Sequence, residues 1–141
     1  GFVPVGGTYY VQALTWTPDV TIASLICGLL IDTLLVVNNY RDREADARSG
    51  KRTVIVRFGE KFGRYFYLML GITASLLCLC FLREGHFYAA FLPQLYLIPH
   101  FLTWKRMVKI YSGKKLNSIL GETSRNMLLM GILIAIGMLI N

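Results

Sequence analysis

Charge is scarce in this sequence. Asp, Glu, Lys and Arg make up 16% of its 141 residues, against 55% hydrophobic residues, whereas soluble domains carry about a quarter charged residues. Residues 65–82 and 87–104 contain none of the four charged types. Crossing a bilayer takes about 20 predominantly apolar residues, so these stretches exclude an ordinary water-soluble domain and point to membrane spans. Cysteine is nearly as sparse. Cys27, Cys78 and Cys80 all lie in apolar segments, and an odd set without CxxC spacing supports neither a disulfide framework nor a zinc site; they read as small packing residues. The two histidines, His86 and His100, lack partners at metal-ligand spacing and read as structural. There is no initiating Met and no basic region leading into a short apolar core, so no cleaved signal peptide is recognised. The chain reads as beginning partway through a longer protein.

What charge there is lies in blocks. The net charge of +7 suggests nucleic acid at first sight, but the positive residues sit between the apolar stretches, so no nucleic-acid partner is expected. Residues 41–64 hold eight of the fifteen Lys/Arg residues, residues 105–115 hold five more without an acid, and residues 83–86 are nearly neutral. The positive-inside bias then puts 41–64 and 105–115 on the cytoplasmic side and both chain ends toward the far side. The expectation is an all-α, polytopic bundle forming one transmembrane domain over 1–141. Its spans are near 20–39, 64–82, 87–104 and 122–140, with cytoplasmic loops at 40–63 and 105–121. Thr17-Pro18-Asp19 is a helix start, with a capping hydroxyl, a proline suited to the first position and an acid complementing the helix dipole. Pro93 and Pro99 mark kinks within the third span. Asp32 is the ionisable residue within a span. It is read equally as a site residue or as a structural hydrogen-bonding partner of a neighbouring helix.

The one long charged run is Asn38-Asn39-Tyr40-Arg41-Asp42-Arg43-Glu44-Ala45-Asp46-Ala47-Arg48-Ser49-Gly50-Lys51-Arg52-Thr53. Asn38, Asp42 and Asp46 are spaced by four, so on a helix they stack along one face, each about 40° from the last. Two carboxylates on adjacent turns and a carboxamide one turn earlier form an all-oxygen strip suited to a hard cation such as Mg²⁺. Arg48, Lys51 and Arg52 follow at once and are phosphate partners. The combination at the end of a span suggests a diphosphate held through the metal. Against it stands the reading of a solvated loop whose acids only pair with neighbouring arginines along the helix surface.

This run resembles the second aspartate-rich motif of the UbiA superfamily of intramembrane prenyltransferases. Together with Gly7-Thr8-Tyr9-Tyr10-Val11-Gln12, it is most similar to the branch that prenylates 1,4-dihydroxy-2-naphthoate on the way to menaquinone. The match is specific over residues 6–12 and 38–59 and loose elsewhere. It implies the carboxy-terminal part of a nine-span helical fold, in a bacterial plasma membrane. It also implies a polyprenyl diphosphate donor and an aromatic acceptor as partners, membrane lipid around the chain, and a site on the cytoplasmic side.

On that resemblance Asp42 and Asp46 are catalytic and, with Asn38, hold Mg²⁺. Asn38, Asn39, Arg48, Lys51 and Arg52 bind the donor, and Tyr9, Tyr10 and Gln12 line the acceptor pocket. From the residues alone, Tyr9 and Tyr10 read as interfacial aromatics. The superfamily's first aspartate-rich motif is not in these residues. The expectation is that the missing amino-terminal half is a required partner and that residues 1–141 are inactive alone. Two alternatives stand beside this reading. One is a member of the same superfamily acting on a 4-hydroxybenzoate, haem or chlorophyll-type acceptor. The other is a non-catalytic transporter or assembly segment with Asp32 in an ion path.

Overall fold

The computed structural model describes residues 1–140, and every ordered element in it is helical. A π-helical turn, Phe2–Gly6, runs into α1, Gly7–Ala13. α2, Pro18–Arg48, is capped by Thr17, whose Oγ1 accepts a hydrogen bond from the Val20 N–H at 3.4 Å. It stops where Gly50 takes φ +77°, a left-handed conformation that glycine adopts without steric cost. Thr53 caps α3, Val54–Cys78, in the same way, with Val56 N–H at 3.3 Å. Gly59, at φ 85°, kinks α3 after its first turn. The helix then tightens into a 3-10 segment, Leu79–Glu84. The short α4, Phe87–Phe91, and a 3-10 turn, Leu92–Tyr96, lead into α5, Leu97–Ile110, and α6 is Leu116–Ile140.

Three of these helical stretches are long and apolar enough to cross a membrane: Pro18–Arg48, Val54–Glu84 and Leu116–Ile140. The expected span over 87–104 is instead broken over Leu92–Tyr96, because Pro93 removes a backbone donor and clashes with the preceding turn. Gln94 bridges the break. Its Nε2 donates to Ala90 O and Ser75 O, both at 2.9 Å, while its Oε1 accepts from the Ser75 hydroxyl at 2.7 Å. Within the expected connection over 40–63, residues 40–48 continue α2 without interruption up to the turn at Gly50, as the helical spacing of the strip requires, and the non-helical part is only 49–53.

Two apolar clusters hold the bundle together. One joins Ile26, Leu30, Ala74, Phe81, Ala89 and Met130; the other joins Val37, Tyr40, Ile55, Tyr67, Met107 and Ile119. The second lies directly beneath the charged end of α2. It fixes which face of that helix is buried and, by exclusion, which face looks outward.

Candidate functional site

Val36, Val37, Tyr40 and Arg43 turn into the core, and Asn38, Asp42 and Asp46 follow one another along a different face of α2, on which Asp46 is itself largely buried. The four-residue spacing read from the sequence is therefore a real helical face. Asp32 is exposed about 15 Å along the axis from Asp42 at 1.5 Å per residue, and about 80° around the helix from it.

Arg41 organises the strip. Its Nε donates to Asp42 Oδ1 at 2.7 Å and its Nη2 to Asp42 Oδ2 at 2.7 Å, a bidentate fork. Nη2 also reaches Asn38 Oδ1 at 2.8 Å, and Nη1 reaches Asn117 Oδ1 on α6 at 3.0 Å. The guanidinium beside it holds the Asp42 carboxyl below the ordinary carboxylate range, and Asp42 in turn raises Arg41. Asp46 differs. Its Oδ1 lies 3.6 Å from Lys51 Nζ, while its Oδ2 is buried without a hydrogen-bond partner. A buried carboxylate oxygen with no donor is costly.

Arg41, Asp42, Glu44 and Arg48 of α2 form one wall of a cleft of about 550 Å³, and Gly113, Lys114 and Asn117 form the other. Gly113, at φ +87°, turns the chain so that the second basic loop faces the strip. From the sequence, the block 105–115 reads mainly as holding the topology and touching anionic lipid, with closure over the donor as the other reading, and Asn117 has no assigned role. The signal for the block was charge without spacing, which does not say where a loop folds back. Below the cleft the chain is tied down by Glu60, which lies 3.7 Å from Arg43 and 3.3 Å from Arg64. Arg64 also donates to Tyr40 Oη at 3.0 Å, and both arginines stack over the Tyr111 ring.

The expected site residues are thus gathered unevenly. Asp42 and Arg48 line the cleft, Asn38 is tied to it through Arg41, and Asp46 with Lys51 sits one turn further on. Asn39 is half-buried on α2, and Arg52 is exposed in the connecting loop. Tyr9, Tyr10 and Gln12 are exposed at the other end of α2. Gly1 packs against Ser24 and Gly28, and Trp16 donates to Thr21 Oγ1 at 2.8 Å. α1 therefore runs back along the first turns of α2, leaving its aromatics roughly 30 Å from Asp42 at 1.5 Å per residue. The structure does not bring these residues to the strip.

Asn38, Asp42 and Asp46 offer the hard oxygen donors that Mg²⁺ takes, and the unpartnered Asp46 Oδ2 fits an added cation. Asn38 Oδ1 and both Asp42 oxygens are engaged by Arg41, so this guanidinium must move for all three residues to act together. Among the described residues, no three His, Cys, Asp or Glu side chains group closely enough to hold a metal ion. The strip's donor set depends on the carboxamide.

Long apolar helices, with a cleft of acids and cations at the charged end of one of them, define a polytopic membrane protein with a charged cleft at one end of its bundle. The sequence matches the UbiA prenyltransferase family over residues 1–139, and the chain belongs to that family. It is an integral membrane protein. It is 33% identical to 1,4-dihydroxy-2-naphthoate octaprenyltransferase of Haemophilus influenzae over 144 residues, covering 99% of this chain and 46% of that protein. Proteins of the same name from Escherichia coli and Mycobacterium tuberculosis are each 39% identical, over 79 and 77 residues. These matches cover 56% and 55% of this chain and 25% and 26% of those proteins. The chain spans less than half the length of these relatives. No solved structure matches it.

Proposed function

We propose that this chain carries one half of a prenyl-transfer site, moving a polyprenyl group from its diphosphate to 1,4-dihydroxy-2-naphthoate at the cytoplasmic face of a bacterial plasma membrane. The observation that carries the proposal is the cleft itself, where the strip on α2 meets Lys114 and Asn117 across a space of about 550 Å³. The names of the relatives favour the naphthoate acceptor.

Asn38, Asp42 and Asp46 would hold Mg²⁺, which when bound supplies positive charge against the diphosphate oxygens. Arg48 and Lys114 face the cleft from opposite walls. They are placed to stabilise the negative charge that builds on the departing pyrophosphate as the allylic carbon–oxygen bond breaks. Arg41 has a double part. It keeps the Asp42 carboxylate ionised and oriented, and once released it adds a fork-shaped donor for phosphate. The electron-rich acceptor ring attacks the allylic cation, and the ring carbon that forms the new bond loses its carboxylate as CO₂, so that aromaticity returns. The apolar helices exclude water that would otherwise quench the cation. Residues 1–141 hold a single aspartate-rich strip, so transfer requires a complementary strip from elsewhere in the longer protein.

The test uses the full-length protein in lipid nanodiscs with radiolabelled polyprenyl diphosphate. The expected result is Mg²⁺-dependent transfer to 1,4-dihydroxy-2-naphthoate in preference to 4-hydroxybenzoate, with none from residues 1–141 alone. Transfer that survives chelation would remove the metal from the reading, and preference for another ring would remove the acceptor.

A further inference from the structure

We propose that a second cleft, between α5 and α6 on the side of α6 away from α2, binds the phosphodiester headgroup of an anionic phospholipid. The cleft encloses about 400 Å³ and shares no residue with the strip cleft, so the proposal does not rest on the prenyl-transfer reading. Lys105, Arg106 and Arg125 line it, with Glu122 as the one acid. Arg106 Nη1 lies 2.7 Å from Glu122 Oε1, so these two neutralise each other and leave Lys105 and Arg125 uncompensated. Arg125 is exposed and has no ion-pair partner among the described residues, and Lys105 lies 4.6 Å over the Phe101 ring. The base of the cleft is a buried hydrogen bond, from Asn126 Nδ2 to Thr103 Oγ1 at 3.0 Å.

Depth decides what kind of anion belongs here. Arg125 is eight residues along α6 from Asn117, about 12 Å deeper than the strip cleft at 1.5 Å per residue. Nearby Trp104 donates its indole N–H to Arg64 O at 3.0 Å, which ties α5 to α3 beside the cleft. Cations held at that depth without an anion are unfavourable, and basic pockets between spans on the cytoplasmic side suit lipid headgroups. The surroundings also distinguish a lipid from a free phosphate. Leu102, on the cleft wall, also lines an almost wholly apolar groove of about 430 Å³ that runs along Leu68, Ile72 and Ile98. A phosphate ion uses the cations and leaves this groove bare; a lipid places its headgroup on Lys105 and Arg125 and an acyl chain along Leu102.

The experiment is native mass spectrometry of the purified protein released from nanodiscs of phosphatidylcholine mixed with phosphatidylglycerol. The expected result is retention of phosphatidylglycerol at least fivefold over phosphatidylcholine. Each of Lys105→Gln and Arg125→Gln should lower this preference about fivefold, in keeping with the usual contribution of one basic residue near an anionic membrane. Arg83→Gln, in the nearly neutral connection, should leave it unchanged. Both tested side chains are exposed, and retained helical circular dichroism shows that each variant is folded. A complementary variant that keeps every charge, Leu102→Trp, fills the junction with the apolar groove and should also reduce retention. Equal retention of the two lipids, undiminished preference in both charge variants, or displacement by millimolar inorganic phosphate would each overturn the proposal.

Discussion

Two polar regions of this bundle are made of similar side chains and are finished differently. Inside the bundle, His100 sits between the rings of Tyr67 and Tyr96, with ring centroids 4.6 and 5.1 Å away. Its Nδ1 faces Tyr96 Oη at 3.0 Å and its Nε2 faces Leu68 O at 3.3 Å, while Tyr67 Oη is 3.1 Å from Thr123 Oγ1. Each of these polar groups has a partner on another turn or helix. At the charged end of α2, Arg41 collects oxygens from three side chains, Asp46 keeps a buried oxygen with no donor, and the cleft opens beside them. Burying an unsatisfied polar group costs stability, and a satisfied network rigidifies the structure around it. The inner network therefore holds helices together, whereas the polar groups of the strip lie beside an open cleft.

Mutations separate the two regions. The largest expected effect is at the strip: Asp42→Ala or Asp46→Ala in the full-length protein should reduce prenyl transfer about 10²–10³-fold, the scale set by losing one transition-state electrostatic contact. The thermal midpoint in detergent should stay close to wild type, and for Asp46→Ala it should hold or rise, because the unpartnered oxygen is removed. Normal turnover in both variants would exclude the strip from the chemistry. Next in size is Gly71→Ala. A Cβ there would collide with the His100 ring, so the ring would have to leave its two partners. The expected cost is about 1–3 kcal/mol of stability, as for other overpacked core sites. It would be read as a lowered thermal midpoint, with transfer per folded molecule little changed. Smaller again is Tyr67→Phe, which removes the hydroxyl facing Thr123 and should cost about 0.6 kcal/mol, the average for hydrogen bonds between membrane helices. A large loss of activity with intact stability in either inner variant would show that the inner network also takes part in function.

The strip was legible in the sequence because helical spacing survives any tertiary arrangement. Asn38, Asp42 and Asp46 needed only an unbroken helix, and nothing from Pro18 to Arg48 breaks one. Arg41 was legible in part: pairing of the acids with neighbouring arginines was one of the two readings, but its bond to Asn117, 76 residues away, arises only through the packing of α6 on α2. The break over Leu92–Tyr96 was half legible. Pro93 announced a kink, but Gln94 looked like an ordinary polar residue, and two of its three hydrogen bonds at the break depend on Ser75 of α3. Tyr9, Tyr10 and Gln12 show the opposite case: a stretch quoted from a resemblance says nothing of where its helix lies relative to the strip.

The smallest effect expected is an absence of effect, and it bears on how the strip is charged. Arg41 lowers the Asp42 carboxyl from its ordinary value of 3.8, chiefly by the hydrogen-bonded fork and then by its charge. For a carboxylate lowered in the folded state, the stabilisation it contributes is fully present above the unfolded value and is lost only as pH falls through the lowered one. Between pH 5 and 8 the pair therefore keeps its charge. Tyr111 below the cleft is raised above its ordinary 10.0, chiefly by its hydrogen bond to Glu60, and so stays protonated over the same range. The difference in thermal midpoint between wild type and Asp42→Asn should accordingly be constant from pH 5 to pH 8 at fixed ionic strength, with scanning fluorimetry as the measurement. A slope within that window would mean that Asp42 changes protonation near neutrality. The fork to Arg41 would then not be what keeps the strip ready for a cation.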